Sequence, residues 1–568
     1  MGSIGEEPKV ERIIKTDLHQ YGRRKRTDGP YADNLNLDCL IVGAGFGGAY
    51  SLHELRKQGF NTVLYDAGTS FGGTWRWNCY PGARVDSPVP IYELAIPEVY
   101  KDWTWSTNYP DWRELQGYFD HMDRVLNLSK DCAFETVVTS AEFDKDSGKW
   151  TVKTADGRSA TATYLIVAAG FAAKRYIPDV PGLDSFKGEI HHSSFWPQEG
   201  VDFTNKRCAV IGTGASGVQI IQEMGAKASQ LTVYQRTPNL ALPMGRRDLT
   251  AEEQNQLKPF YPEIHAMRER CFAGFHYDLN EKNTYDDTPE EREAFFETLW
   301  KQQGFALWLG GYKDYLFVDK CNDEAYNFWR KKQSQRVKNP EKKKILFPEQ
   351  KPHPFGVKRP CLEQNYYETL DRDNVDLVDI NEKNGSPIQK FTEKGIVTDG
   401  VEREFDIICL ATGFDVVTGG MTSMGLKSVN GTYLQDEWKD AANTFLGTTI
   451  AGYPNLFHLY GPHGPTLLSN GPSSVEIQAR WIRDAITKAH RQGLKYVNPT
   501  KEASDKWKQR INDLAAPTLF PTTRSTYMGG SVPGKAFEMT CYAGGVNAYG
   551  PEIRGYLDTW NGFETVAA

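Results

Sequence analysis

One pattern, written twice, predicts the fold class. A short apolar strand ends in a glycine-rich turn, a helical stretch follows, and a second apolar strand closes the unit. The pattern occupies residues 37–66 and returns at 207–236. From about 241 to 339 the text changes to Glu, Lys, Arg and aromatics with few β-branched runs. Together these observations predict an α/β protein with two doubly wound parallel-sheet units and a helical insertion in the second.

The elements follow in order. Residues 1–35 are polar, with a basic cluster Arg23-Arg24-Lys25-Arg26 that reads as a solvated arm, a nuclear signal being the alternative. Leu37 to Val42 is a buried parallel strand, Gly47 to Gln58 a helix, and Thr62 to Asp66 the next strand. Tyr164 to Ala168 is a further strand, ending at Ala169-Gly170. In the second copy Arg207–Ile211 is the strand, the helix runs to about Met224, and Leu231–Arg236 closes the unit. After the insertion come strands at Val375–Val378, Phe405–Leu410 and Asn455–Tyr460, then a helix starting near Ser474. The basic stretch Arg330 to Lys344 reads as the solvated face of the insertion.

Length and charge narrow the classes. A chain of 568 residues is too long for one core. A net charge of −7 and a pI near 6.0 argue against nucleic acid as the main partner. No apolar run reaches the roughly 18 residues of a membrane span, and the first residues have no apolar signal core. Glu6 breaks the myristoylation pattern. Nine scattered cysteines without a CxxC pair read as free thiols, so the cytoplasm is the expected location. No metal site is expected.

The turns carry the first chemistry. Gly43, Gly45 and Gly48, with Phe46 between them, occupy GxGxxG positions: a tight turn, room for a pyrophosphate, and close helix–strand packing. Asp66, at the end of the following strand, is the acid that accepts from ribose hydroxyls. The second turn is Gly212-Thr213-Gly214-Ala215-Ser216-Gly217, but its second strand ends in Gln235-Arg236-Thr237. A guanidinium there pairs with a 2′-phosphate, which predicts NADPH. Two Rossmann-type dinucleotide-binding domains with opposite preferences imply electron transfer, with FAD the usual partner in the first. Disulfide reductases share this plan but need a cysteine pair beside the flavin, and Cys79 stands alone.

Between the two folds lies Phe186-Lys187-Gly188-Glu189-Ile190-His191-His192-Ser193-Ser194-Phe195-Trp196-Pro197. Phe186, Gly188, His192, Trp196 and Pro197 fit FxGxxxHxxxWP, and the chain thereby resembles the type I Baeyer–Villiger monooxygenases, class B flavoprotein monooxygenases. Residues 72–78, 80–86, 356–360, 411–415 and 532–535 also look like that family's loops, and the text at 85–90 looks most like fungal members.

The resemblance implies NADPH and O2 as co-substrates, a C4a-peroxyflavin, and oxygen insertion next to a ketone carbonyl to give an ester or lactone. The alternative is a sulfide- or amine-oxygenating relative, which usually carries Tyr where Trp196 stands. Arg359 is the expected catalytic cation and Asp86 its partner, since negative charge on oxygen calls for a permanent cation. By family match Thr74, Trp75, Arg76, Trp77, Asp86, Tyr92, Val138 and Gly471 contact FAD. Arg84, Lys358 and Arg359 join the NADP site, and His192 couples domain motion to catalysis rather than donating a proton. Pro465, Thr466, Leu467 and Leu468 match the substrate-pocket bulge. The chain departs from the family at Thr526, where a Trp is usual; either Tyr527 substitutes for it or nicotinamide gating is altered.

The implied division is 1–35 extension, 36–170 and 409–568 FAD-binding, 171–240 and 340–408 NADP-binding, and 241–339 helical. The sequence names neither the ketone nor the oligomeric state, for which a monomer suffices.

Overall fold

The computed structural model describes residues 28–383 and 385–568; the basic cluster at 23–26 lies outside them. Strand Leu35–Val42 sits between Thr62–Tyr65 and Ser159–Val167, parallel to both. Sheet neighbours on two edges and chain on both faces leave Cys39, Leu40 and Ile41 with no exposure, which is why this strand is continuously apolar. Leu456–His458 joins the same sheet beside Ser159–Val167. It thereby returns the last third of the chain to the first glycine turn. An antiparallel flank, Val138–Asp144 and Lys149–Thr154, completes the layer.

The second sheet is fully parallel. Its order is Val375–Asp379, Gln230–Gln235, Arg207–Ile211, Ile407–Leu410, Glu189–His192. Ile407–Leu410 belongs to it whole, so the expected boundary at 408/409 cuts a strand and lies too early.

Residues 251–346 form helices, from Ala251–Leu257 to Pro340–Leu346. The last of these extends past the expected limit at 339 because Asn339 caps it, its side chain accepting from the N–H groups of Glu341 and Lys342. The basic stretch 330–344 is only partly a solvated face. Arg330 donates to the Phe347 carbonyl, and Arg336 forks onto Glu363 and Glu368. The long helix expected near Ser474 starts at Gly471.

The two sheets and the insertion share one apolar core, from Leu64 through Ile221 to Trp329. The glycine-turn units meet where Tyr80 donates to Gln219 and Gln219 donates to the Arg84 carbonyl. Gly82, at φ +80°, lies so close to that helix that a Cβ would stand 2.6 Å from the Gln219 carbonyl oxygen.

Candidate active site

Each glycine turn opens on a glycine that the backbone demands. Gly43 has φ +114° and Gly212 +105°, and a Cβ there would strike Ala168 or Ala411 backbone oxygen at 2.3 and 2.5 Å. Gly48 and Gly217 are demanded by packing: their Cβ would sit 1.7 and 2.1 Å from the carbonyl of the turn's own first glycine. The middle glycines differ. Gly45 and Gly214 have ordinary extended backbones. A Cβ on Gly45 meets only Gly73 Cα at 3.6 Å, and one on Gly214 meets nothing within 4 Å. The protein itself has no need of glycine at either place, so the space they keep open suits a pyrophosphate.

The helix starts agree. Phe46–Lys57 and Ala215–Lys227 carry no side-chain cap and no acid in the first turn, while Trp112–Leu126, Pro289–Gln302 and Lys501–Ala515 are capped by Asp111, Thr288 and Thr500. Uncapped N–H groups beside open space are the donor set a phosphate takes.

Asp66 ends its strand with both oxygens engaged. It accepts from the N–H groups of Ala44 and Gly68 at 2.6 Å each, pinning the first turn. Burial raises its pKa against those two hydrogen bonds. Val138 starts the strand Val138–Asp144, and two residues before it the Thr136 N–H donates to the Asp66 carbonyl. Thr74–Trp77 is one helical turn entered through Gly72 and Gly73, both with positive φ. Trp75 donates through Nε1 to the Tyr92 hydroxyl at 3.1 Å, Phe46 meets Tyr92 edge-on, and Trp77 packs on Phe195. Arg76 is tied to Gln198.

The second turn faces cations. Arg236 is exposed at its strand end, next to Thr237, whose carbonyl accepts from Thr213. Lys358 is half-buried; burial and then the like charge of Arg236 push its pKa down to about 8. Two adjacent cations that destabilise each other fit a doubly charged 2′-phosphate. Arg84 donates to the Tyr109 carbonyl, and its pKa is lowered by burial and by Arg246.

Arg359 lies at the convergence of all three regions. Its Nε and one terminal nitrogen donate to Asp86 at 2.8 and 2.9 Å, a bidentate pair. The other terminal nitrogen donates to the carbonyls of Leu467 and Ser469 at 3.2 and 3.4 Å. Burial works against the guanidinium charge, and Asp86 more than offsets it, so the cation persists at every working pH. Phe305, Phe275 and Trp308 of the insertion stand over it at 4.9, 5.7 and 5.7 Å.

Pro465 and the turn Thr466–Leu468 are thus joined to Arg359 through the Leu467 carbonyl, while the Thr466 hydroxyl turns inward to Gly461. Gly471 opens the next helix; a Cβ there meets Tyr460 and Tyr92 only at ordinary distances, so this glycine too leaves room for a close ligand.

In the loop 525–540 the two residues at the departure differ in burial. Thr526 is exposed, whereas Tyr527 is buried edge-on to Phe520 and its hydroxyl has no hydrogen-bond partner among the described residues. Tyr527 and Tyr460 both lie in the field of Arg359, and burial raises both pKa values, so both keep their protons. Phe275, Phe305, Trp308 and Tyr460 escaped the sequence reading; nothing in their spacing marks them.

The linker motif is built into the second sheet. His192 ends the edge strand Glu189–His192, fully buried, its Nδ1 at 2.8 Å from the Ser194 hydroxyl and Nε2 at 3.3 Å from the Tyr176 carbonyl. Burial and then Arg175 lower its pKa to about 4, so it is neutral at working pH. Gly188 is packed too tightly for a Cβ, with Phe186 and the Asp406 carbonyl at 2.6 Å. Trp196 is buried, and its carbonyl accepts from Cys79, two residues past the helical turn Thr74–Trp77. Pro197 offers its carbonyl to the same thiol. The motif therefore ties the second sheet to residues 76–79.

Two glycine turns, a cationic second turn and a half-buried Arg–Asp pair between them define a two-nucleotide flavin oxidoreductase site. The flavin-binding monooxygenase-like family matches residues 38–245. An FAD-binding monooxygenase of Aspergillus aculeatus is 51% identical over 98% of this chain and 93% of that protein. A cyclopentanone 1,2-monooxygenase of a Comamonas species is 45% identical over 91% and 93%. Among solved structures, cyclohexanone monooxygenase from a Rhodococcus species bound to NADP+ superposes with a TM-score of 0.90 at 35% identity, covering 94% of this chain and all of that one. OTEMO in complex with FAD and NADP gives 0.89 at 35%, covering 93% and 99%. The chain belongs to the Baeyer–Villiger monooxygenases of the flavin-binding monooxygenase family.

Proposed function

We propose that the chain uses NADPH and O2 to insert one oxygen atom next to a ketone carbonyl, giving an ester or lactone, water and NADP+. The half-buried, doubly tethered Arg359–Asp86 pair between the two nucleotide turns carries this reading. FAD, when bound, supplies the two-electron chemistry that connects NADPH to dioxygen. We assign it to the first sheet, with Gly43, Gly45, Gly48, Asp66, residues 74–77, Tyr92, Val138 and Gly471 around it. NADPH is assigned to the second sheet, with residues 212–217, Arg84, Arg236, Thr237 and Lys358.

Arg359 holds a fixed positive charge where oxygen becomes negative as the substrate carbonyl carbon goes from planar to tetrahedral. Asp86 orients the guanidinium and keeps it from swinging into solvent. Tyr527, protonated and unpartnered, offers a neutral O–H to the same region. The apolar residues at 467–468 and the insertion aromatics exclude water, which strengthens both contacts. Relatives named for acetone, for cyclopentanone and for a trimethylcyclopentenylacetyl-CoA support a ketone as the substrate class. Nine free cysteines suit a reducing compartment such as the cytoplasm, and no helix among the described residues is long and apolar enough to cross a membrane.

The test supplies NADPH and air to the FAD-loaded enzyme with linear ketones, cyclic ketones and a sulfide. An ester or lactone from at least one ketone is expected; sulfoxide with no ester from any ketone would refute the reading. Arg359→Ala should still oxidise NADPH while ester formation drops about 10²–10³-fold.

A further inference from the structure

The segment that leads to Arg359 is laid along one helix of the insertion. Helix Asp319–Gln333 presents Asn322, Tyr326 and Arg330 at four-residue spacing, hence on one face. Arg330 donates to the Phe347 carbonyl at 3.0 Å and Tyr326 to the Pro348 carbonyl at 2.6 Å. Asn322 has no exposure. Its amide donates to the Phe355 carbonyl at 2.9 Å and accepts from the Phe355 N–H at 2.7 Å, pairing with that residue as a strand would. Its second donor reaches the Tyr315 carbonyl at 3.0 Å. One residue on, Trp308 donates through Nε1 to the Gly356 carbonyl at 3.2 Å. Gly356 has φ +87°, and a Cβ there would lie 2.9 Å from the Trp308 ring, so the loop admits no side chain at this point. Three residues later comes Arg359, beneath the face of the same Trp308.

We propose that Asn322, seconded by Trp308, is a positioning residue for Arg359. The insertion thus sets where the reactive cation stands, not only how the pocket is walled. The inference rests on the reading of Arg359 as that cation. Asn322 reaches it only through backbone. A buried amide that mimics a strand partner fixes both polar groups of Phe355, and loss of the amide leaves both unpaired in a dry site.

The experiment uses FAD-loaded enzyme and two readouts that need no turnover. Hydrogen exchange reports the clamp directly: in Asn322→Leu the amide of Phe355 should exchange about tenfold faster or more, while the glycine turns at 43–48 and 212–217 are unchanged. The flavin midpoint potential reports the consequence. Arg359→Ala removes a cation and lowers it, Asn322→Leu shifts it in the same direction, and the double variant matches Arg359→Ala alone. Unchanged exchange at Phe355, or shifts that add in the double variant, would overturn the proposal. If Asn322→Leu does not fold, Trp308→Phe, which keeps an aromatic ring but loses the Nε1 donor and the part of the indole packed on Gly356, carries both readouts with the same expected directions. An Arg359→Ala enzyme with an unmoved potential would count against the placement of Arg359 beside the flavin; the exchange at Phe355 then decides the clamp by itself.

Discussion

Lys358 titrates at the edge of the physiological range because it is half-buried beside Arg236. Below about pH 8 it is charged and attracts the 2′-phosphate; above that it is neutral in the free enzyme. Binding a dianion raises its pKa, so NADP+ binding takes up a proton above pH 8. The NADP+ dissociation constant should therefore rise toward tenfold per pH unit between about 8 and the pKa of the bound form. NAD+ binding should stay flat, and Lys358→Met should abolish the slope. Titrations at pH 7 to 9.5 check this, and a flat NADP+ curve refutes it. The middle glycines allow a second test at this scale. A Cβ on Gly214 meets no protein atom, so Gly214→Ala should alter folding stability by no more than about 1 kcal/mol while weakening NADP+ binding. Gly217→Ala, with a Cβ 2.1 Å from the Gly212 carbonyl, should lower stability instead. Thermal melts and NADP+ titration separate the two. Such roles were legible in part. The GxGxxG spacing named all six glycines, but only the packing around each one shows which serve the turn and which leave space.

Elements are joined at the site by charge as well as by apolar contact. Arg268, on helix Tyr261–Arg270, is fully buried and donates to the carbonyls of Ile91 and Glu93. It also pairs at 2.8 Å with Glu476, on helix Gly471–Arg491, which is equally buried. That helix begins at Gly471, and Tyr92 lies between the two carbonyls. One guanidinium therefore ties the insertion to the segment around Tyr92 and to the helix that Gly471 opens. Replacing Arg268 by Leu partly strands the Glu476 carboxylate, which keeps the Ala95 N–H at 2.7 Å and Arg480 at 3.5 Å, and should cost about 3 kcal/mol. Denaturant unfolding of Arg268→Leu, with Glu476→Gln added to remove the stranded charge, checks the cause: the double change should recover part of the loss. An Arg268→Leu enzyme as stable as the parent would dismiss the bridge. None of this was visible beforehand. Arg268 falls in the charge-rich text of the helical insertion, where nothing singles it out, and its partners lie some 175 and 208 residues away along the chain. Helix periodicity says which residues share a face but not what that face meets.

Over the whole molecule, the buried histidines set the response to acid. Burial lowers His192 and His353 to a pKa of about 4, with Arg175 and Lys358 adding to the effect, and lowers His458 and His463 to about 3. Both ring nitrogens of His458 lack a partner among the described residues, so nothing in its surroundings favours the charged form. The unfolded chain protonates these rings near pH 6.5, and the folded chain only well below it. Stability is therefore intact above about pH 6.5 and falls as pH drops toward 4, by up to about 1.4 kcal/mol per pH unit for each ring. Denaturant midpoints at pH 7.5, 6.5 and 5.5 should decline in that order, and His458→Leu should make the decline shallower. Equal midpoints at the three values would contradict the burial argument.

Local text determined much of this protein: two strand–turn–helix units, the charge that distinguishes Asp66 from Arg236, and a linker motif whose Trp196 and His192 mark the family. Those signals are short-range, because a turn or a strand end is specified within a few residues. The tertiary structure alone decided the rest. It put Tyr527 rather than Thr526 inside, set the insertion aromatics over Arg359, and laid residues 347–356 along the Asn322 face of one helix. Such contacts join segments tens to hundreds of residues apart, and what selects them is the burial of polar groups that must find partners, a condition no local pattern records.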